Sequence, residues 1–307
     1  MDKLDLSLPI DVVQAEDLTP EEFNRKYHKP MRPVHIKGLM FQQPAGKKWT
    51  LEWFKEKMGH HTVSIFDNYD KDTIKTTATF TPHKMNFGEY LDLIAKNEPT
   101  GIRLFRVDLY KLRPELRKDY ACPPIMKGIM SKHGFMFMGG KDGDVRAHVD
   151  VDHSGVLLSQ AFGHKRVVLI PPEYTPFMYR LPLNTHTMAD LKNIDFKKYP
   201  GLKYVKGIEL ILEPGDAVYM PSGWWHYNTY LDAGLGVAYR KLAPTLINKL
   251  KGLRMILLYI PLDKMLFRLF GDRWYAWKEK TAIRRVEKAI QGIENQGGIK
   301  RENLKPV

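Results

Sequence analysis

The stretch Ala147-His148-Val149-Asp150, read together with Met220-Pro221-Ser222-Gly223-Trp224-Trp225-His226, decides the reading of this chain. Two imidazoles and one carboxylate make the facial donor set that suits Fe(II) and leaves neighbouring coordination positions open. Residues i and i+2 of an extended strand share a face, so His148 and Asp150 can close on one ion. His226, about 76 residues further on, must then come from a second strand of the same barrel. The His-x-Asp triplet alone is a weak signal. It gains weight from a β-rich surrounding, the turn Glu213-Pro214-Gly215-Asp216 and the Trp224-Trp225 pair beside the second histidine. The pattern continues through Asp152-His153, which leaves Asp152 as an alternative carboxylate one step beyond on the same face; Asp150 is the preferred ligand.

Three further runs extend the pattern: Gly163-His164-Lys165-Arg166-Val167-Val168-Leu169-Ile170-Pro171-Pro172, Glu213-Pro214-Gly215-Asp216-Ala217-Val218-Tyr219-Met220-Pro221, and Trp224-Trp225-His226. In order and spacing, residues 20 to 245 resemble the cupin-type Jumonji-C oxygenases, with shapes like those of an asparaginyl hydroxylase and a transfer-RNA wybutosine hydroxylase. The resemblance implies a mainly β fold, a double-stranded β-helix or jelly-roll, with N-terminal α+β elements and C-terminal helices. It implies Fe(II) on His148, Asp150 and His226, 2-oxoglutarate as co-substrate and O2 as oxidant. Lys165 matches the family's anchoring lysine, whose ammonium would face the far carboxylate of 2-oxoglutarate in a charge-assisted hydrogen bond. Arg166 should face the opposite side of the sheet.

The chain departs from that pattern in places. The segment Val151 to Ala161 is about two residues longer, an asparagine after the proximal Asp is replaced by Ser154 or Gly155, and a final-strand asparagine by Tyr239 or Arg240. A large basic residue there points to an anionic substrate. Trp224 and Trp225 are expected to pack the barrel. His133, His164, His186 and the His60-His61 pair show no ligand spacing and read as surface or core residues.

With 307 residues and 43% hydrophobic content the chain can bury a sizeable core, as an all-β barrel with flanking helices. One cysteine, Cys122, excludes an internal disulfide, and Met1-Asp2-Lys3 begins no signal peptide, so a reducing cytoplasm is expected. Thr19-Pro20-Glu21-Glu22 is a capping box that starts a helix running to about Tyr27, followed by a strand from Pro33 to Lys37. Thr50 and Asn86 cap helices over Leu51 to Met58 and Phe87 to Lys96; residues 61–66 and 103–110 alternate as strands. These readings divide the chain into a lead-in at 1–133, a barrel at 134–242 and a basic helical extension at 243–307. Residues 172–203 form a long connection with a short helical piece around Met188 to Lys192, a candidate lid.

From Arg240 to Lys288 the chain carries 13 Lys and Arg against 4 Asp and Glu, which places most of its net +13 in this stretch. The apolar run Met255 to Ile260 and its continuation through Phe270 are interrupted by Pro261, Asp263, Lys264 and Arg268, too short and too charged to span a bilayer. A homodimer interface, as the family uses its C-terminal helices, is the leading reading. The alternatives are an anionic membrane surface and a nucleic-acid contact through Lys249, Lys251, Arg254, Arg284, Arg285 and Lys288. A protein side chain is the first expectation for the prime substrate, with a tRNA base, a small metabolite or a non-catalytic metal-binding cupin as alternatives.

Overall fold

Local hydrogen bonds start the helices where the sequence places their caps. Thr19 Oγ1 accepts from the Glu22 amide at 3.2 Å at the head of α1 (Pro20–Phe23), which runs on as a π-helical turn through His28. After α2 (Ala45–Lys48), Thr50 and Asn86 do the same for α3 (Leu51–Met58) and α4 (Phe87–Ala95). A computed structural model describes residues 3–67, 75 and 83–295; Met1, Asp2 and the last twelve residues of the basic extension lie outside the described residues.

Strands β1 (Asp11–Gln14), β2 (Val34–Lys37), β3 (Thr62–Asp67), β4 (His83–Asn86) and β5 (Ile102–Asp108) precede the short helix α5 (Leu109–Leu112). The barrel strands follow: β6 (Phe135–Gly139), β7 (Asp144–His148), β8 (Gly155–Phe162), β9 (Lys165–Ile170), β10 (Ile208–Leu212), β11 (Ala217–Met220), β12 (Trp225–Tyr230) and β13 (Gly234–Lys241). Their order is β11-β8-β13-β6 in one sheet and β10-β9-β12-β7 in the other, the double-stranded β-helix. The lead-in strands lengthen the first sheet at both edges, β2 against β11 and β5 against β6.

The alternation of side chains then sorts apolar residues into layers. Leu158, Val167, Leu169, Leu210 and Val218 meet between the two sheets. Leu157, Tyr219, Val237 and Tyr239 face outward onto Phe23, Trp49 and Phe54 of the lead-in helices. Val168, Ile170 and Trp225 face outward from the other sheet, onto the long connection and the last helix. The Gly215 turn closes β10 to β11 at φ +92°, and a Cβ there would meet the Phe41 ring at 2.1 Å, so only glycine fits. Asp216 next to it accepts from Lys37 Nζ at 2.8 Å and lies 2.9 Å from His35 Nε2, tying β2 to the barrel.

Two expectations are corrected. Met188 to Lys192 forms no helix, because Thr187 Oγ1 accepts from the Ala189 amide (3.1 Å) and Asp190 from the Lys192 amide (2.9 Å), side-chain bonds that compete with helical ones. Strand β7 ends at His148, so Asp150 stands two residues beyond it rather than within it.

Beyond β13, α6 (Leu246–Arg254) passes through a π-helical turn at Met255–Tyr259 into α7 (Ile260–Phe270), and α8 (Asp272–Asn295) folds back. Pro261 stands at the start of α7, where its missing N–H is harmless. No described helix is long and apolar enough to cross a membrane. Asp263 of α7 and Lys278 of α8, both 0% exposed, pair at 2.8 Å, and Trp274 Nε1 also donates to Asp263 at 2.8 Å. Removing one member of a buried pair strands the other charge. Asp263→Ala should therefore lower the free energy of urea unfolding by about 3–5 kcal/mol, while Asp263→Leu with Lys278→Met restores most of it.

Candidate metal centre

His148 and His226 are direct cross-strand partners in the β7–β12 ladder, with ring centres 4.3 Å apart. The Asp150 carboxylate lies 3.8 Å from His226 Nε2, and one donor atom from each of the three residues falls within 4.8 Å of the others. Among the described residues this is the group of His, Cys, Asp and Glu side chains able to share an ion. His148 Nδ1 donates to the Arg146 carbonyl at 2.8 Å, and His226 Nδ1 faces the Trp224 carbonyl at 3.3 Å. Both contacts hold the proton on Nδ1 and leave Nε2 as the ligand atom.

Electrostatics keep all three groups in the form that ligates. Burial, then the imidazoles of His226 and His186, push His148 well below the ordinary histidine value. Burial also lowers His226, against the pull of Asp150. For Asp150, burial opposes the charge, but the Arg240 guanidinium, by its charge and its hydrogen bond, holds the carboxyl below the usual carboxylate range. Arg240 Nη2 donates to Asp150 at 2.7 Å, and its Nη1 to Asp152 at 2.8 Å and Ser154 Oγ at 2.9 Å. Asp152 is thus engaged outside the cluster, and Arg240 is neutralised by two carboxylates and offers no free charge to an anionic substrate. Tyr239, one residue earlier, turns into the outer core against Tyr110 and Tyr120.

Lys165 opens β9 and is 1% exposed. Its ammonium lies 4.2 Å from the Tyr230 ring centre and lines the same cavity, of about 170 Å³, as the three cluster residues. No carboxylate pairs with it among the described residues, and burial draws it down to about 7. A Cβ on Gly236 would come within 3.0 Å of Nζ, so the missing side chain leaves room beside the ammonium. Arg166 points away, to Glu209 and the Tyr227 ring. The donor set, the unpaired buried ammonium and the space at Gly236 fit a metal ion and a small dianion.

His186, from the long connection, reaches the site although nothing in its local sequence marks it. It forms an isolated bridge with His148 and stacks on its ring at 5.3 Å. Burial, with Arg146 and Arg103 nearby, lowers it to about 4, so it is a neutral wall residue. Trp225 is buried and donates to Thr175 Oγ1 at 3.0 Å; Trp224 donates to the Met31 carbonyl at 3.0 Å.

A family model described as a cupin-like domain matches residues 20–239. The chain belongs to the cupin-like domain family. Within it, the Jumonji-C members are oxygenases of the Fe(II)- and 2-oxoglutarate-dependent kind, among them hydroxylases and demethylases. The chain is 26% identical over 241 residues to Jumonji C domain-containing protein 5 of Drosophila melanogaster, covering 71% of this chain and 56% of that one. It is 26% identical over 251 residues to tRNA wybutosine-synthesizing protein 5 of Danio rerio, covering 76% of each. With the bifunctional arginine demethylase and lysyl-hydroxylase psr-1 of Caenorhabditis elegans it shares 26% over 240 residues, 71% of this chain and 57% of that one. The chain thus spans little more than half the length of several curated relatives it matches.

In this cupin-like frame, Asp150→Ala should abolish measurable Mn(II) binding in a calorimetric titration. Asp152→Ala, which removes one of the two carboxylates holding Arg240 and the acceptor for Ser154, should weaken binding by about tenfold.

Proposed function

We propose that this chain is an Fe(II)- and 2-oxoglutarate-dependent hydroxylase. One observation carries the reading: a two-histidine, one-carboxylate donor set and an unpaired buried ammonium line one cavity. His148, Asp150 and His226 would hold the metal, and Lys165 would take the far carboxylate of 2-oxoglutarate. Bound iron with oxygen supplies the oxidising power for an unactivated C–H bond, at the expense of 2-oxoglutarate decarboxylation to succinate. The chain's own residues position and shield. Arg146 and Trp224 carbonyls fix both imidazoles, Arg240 holds Asp150 charged, and Phe105, Phe137, Val156, Leu158 and Met220 give the cavity apolar walls that exclude water.

A protein side chain is the first reading for the prime substrate, supported by the lysyl-hydroxylase named among the relatives. The wybutosine-synthesizing proteins, matched over three quarters of their length, favour a tRNA base as the second reading. A single cysteine and a metal needed in the ferrous state support a reducing, cytoplasmic compartment.

The C-terminal helices support a homodimer. Leu246, Leu250, Leu253 and Leu257 share one helical face and are each at least half exposed, with Leu269 and Phe270 exposed on α7. A continuous apolar face of this kind marks an interaction surface, and a two-fold axis would cover it with its own copy.

Two measurements test these readings. Anaerobically purified protein given Fe(II), 2-oxoglutarate and then oxygen should form succinate slowly without any prime substrate, and His226→Ala should form none. Absence of succinate from the unaltered protein, with no metal-dependent 2-oxoglutarate binding, would leave a non-catalytic cupin. The double variant Leu250→Glu, Leu253→Glu should sediment as a monomer where the parent sediments as a dimer. A monomeric parent that binds anionic vesicles through the same leucines would assign the face to a membrane surface instead.

A further inference from the structure

Arg103, on β5, is 9% exposed, and its Nε and Nη1 find no hydrogen-bond partner. No ion pair joins it to a carboxylate among the described residues. Its guanidinium lies 5.1 Å from the Phe105 ring centre and lines the cavity of the metal centre. A buried cation without an anion is costly, so a site that keeps one holds a place for an anionic ligand.

Strand register says which end of the cavity Arg103 serves. It pairs with Gly139 across β5 and β6. A Cβ on Gly139 would meet the Tyr230 ring at 2.7 Å, so that ring packs directly on the glycine. Tyr230 in turn pairs with Lys165 across β12 and β9, and carries the Lys165 ammonium over its ring. Arg103 and Lys165 therefore stand at one level of the barrel, on either side of the Tyr230 position. The His148–His226 pair lies four residues back along β12, roughly 13 Å of strand.

We propose that Arg103 and Lys165 together seat the distal carboxylate of the 2-oxoacid, Arg103 through the two nitrogens that are otherwise unpartnered. This rests on the hydroxylase reading and adds a residue to it. Guanidinium suits the task, since its planar fork matches a carboxylate and it stays charged at any physiological pH. Burial draws Lys165 down to about 7, so a second, permanently charged group beside it strengthens the anchor. The cavity then selects a dianion over a 2-oxoacid that lacks the second carboxylate.

The test is calorimetric binding of 2-oxoglutarate, and of 2-oxobutyrate as a probe without the distal carboxylate, to Mn(II)-loaded full-length protein. Arg103→Met should weaken 2-oxoglutarate by roughly 30-fold, leave Mn(II) affinity unchanged and leave 2-oxobutyrate binding unchanged. Arg103→Lys, which keeps the charge and the packing, should recover part of the loss. Equal 2-oxoglutarate affinity in Arg103→Met and the parent overturns the proposal and leaves the hydroxylase reading intact. Parallel losses of both probes also overturn it, because they show a distorted cavity and not a lost carboxylate contact. If the Mn(II)-loaded parent binds neither 2-oxoacid, the hydroxylase reading itself fails.

Discussion

The antiparallel pairing of β12 with β7 is the constraint on which the site depends. It sets His226 directly opposite His148, and everything else at the centre is arranged around that pair. A slip of one residue in this ladder would turn one imidazole to the outer face, because side chains alternate along a strand. The register is held from both sides. On one flank β12 runs against β9 for six residues, with Trp225 locked under the long connection; on the other, β7 and the residue after it are held by backbone bonds from Val149 to the Thr185 carbonyl and from Thr187 to the Ala147 carbonyl. The donor set is thus a product of sheet geometry, and only Asp150, beyond the end of β7, needs a separate restraint. Arg240 supplies it.

Charge is distributed along the cavity in a way that separates two tasks. At the metal end, Arg240 lies between Asp150 and Asp152, so its charge is spent inside the protein. At the far end, Lys165 and Arg103 are buried and, among the described residues, neither forms an ion pair with a carboxylate. Neutral imidazoles and a neutralised arginine leave the metal end open to an ion. Unpaired cations leave the other end open to an anion. A small molecule with a chelating head and a carboxylate tail satisfies both at once.

Much of the fold was legible because its signals are local. Thr19, Thr50 and Asn86 cap helices through bonds that span three residues, and the alternation of β10 sorts Ile208, Leu210 and Leu212 inward by itself. The same locality misled at Met188 to Lys192, where helix-forming residues are overruled by Thr187 and Asp190 side chains. The spacing of His148, Asp150 and His226 pointed to one cluster but left Asp152 open; the fold separates the two carboxylates by setting Asp150 3.8 Å from His226 Nε2 while Asp152 accepts from the Ser154 amide, outside the cluster. His186 and Arg103 were illegible for the same reason. One sits in an irregular loop, the other reads as the polar face of an alternating strand, and whether that face meets solvent or a cavity is decided by β5 docking on β6.

Two residues without side chains shape the far end of the cavity as much as the charged ones do. A methyl group on Gly139 would collide with Tyr230, and one on Gly236 would crowd Leu158 at 2.9 Å and the Lys165 ammonium. An added atom at Gly139 runs into a rigid ring, whereas at Gly236 it displaces the ends of two flexible side chains, one of them the Lys165 ammonium. Gly139 and Tyr230 are therefore tied as a pair that changes together, while a single step at Gly236 re-aims the Lys165 charge and so alters which anion the pocket takes.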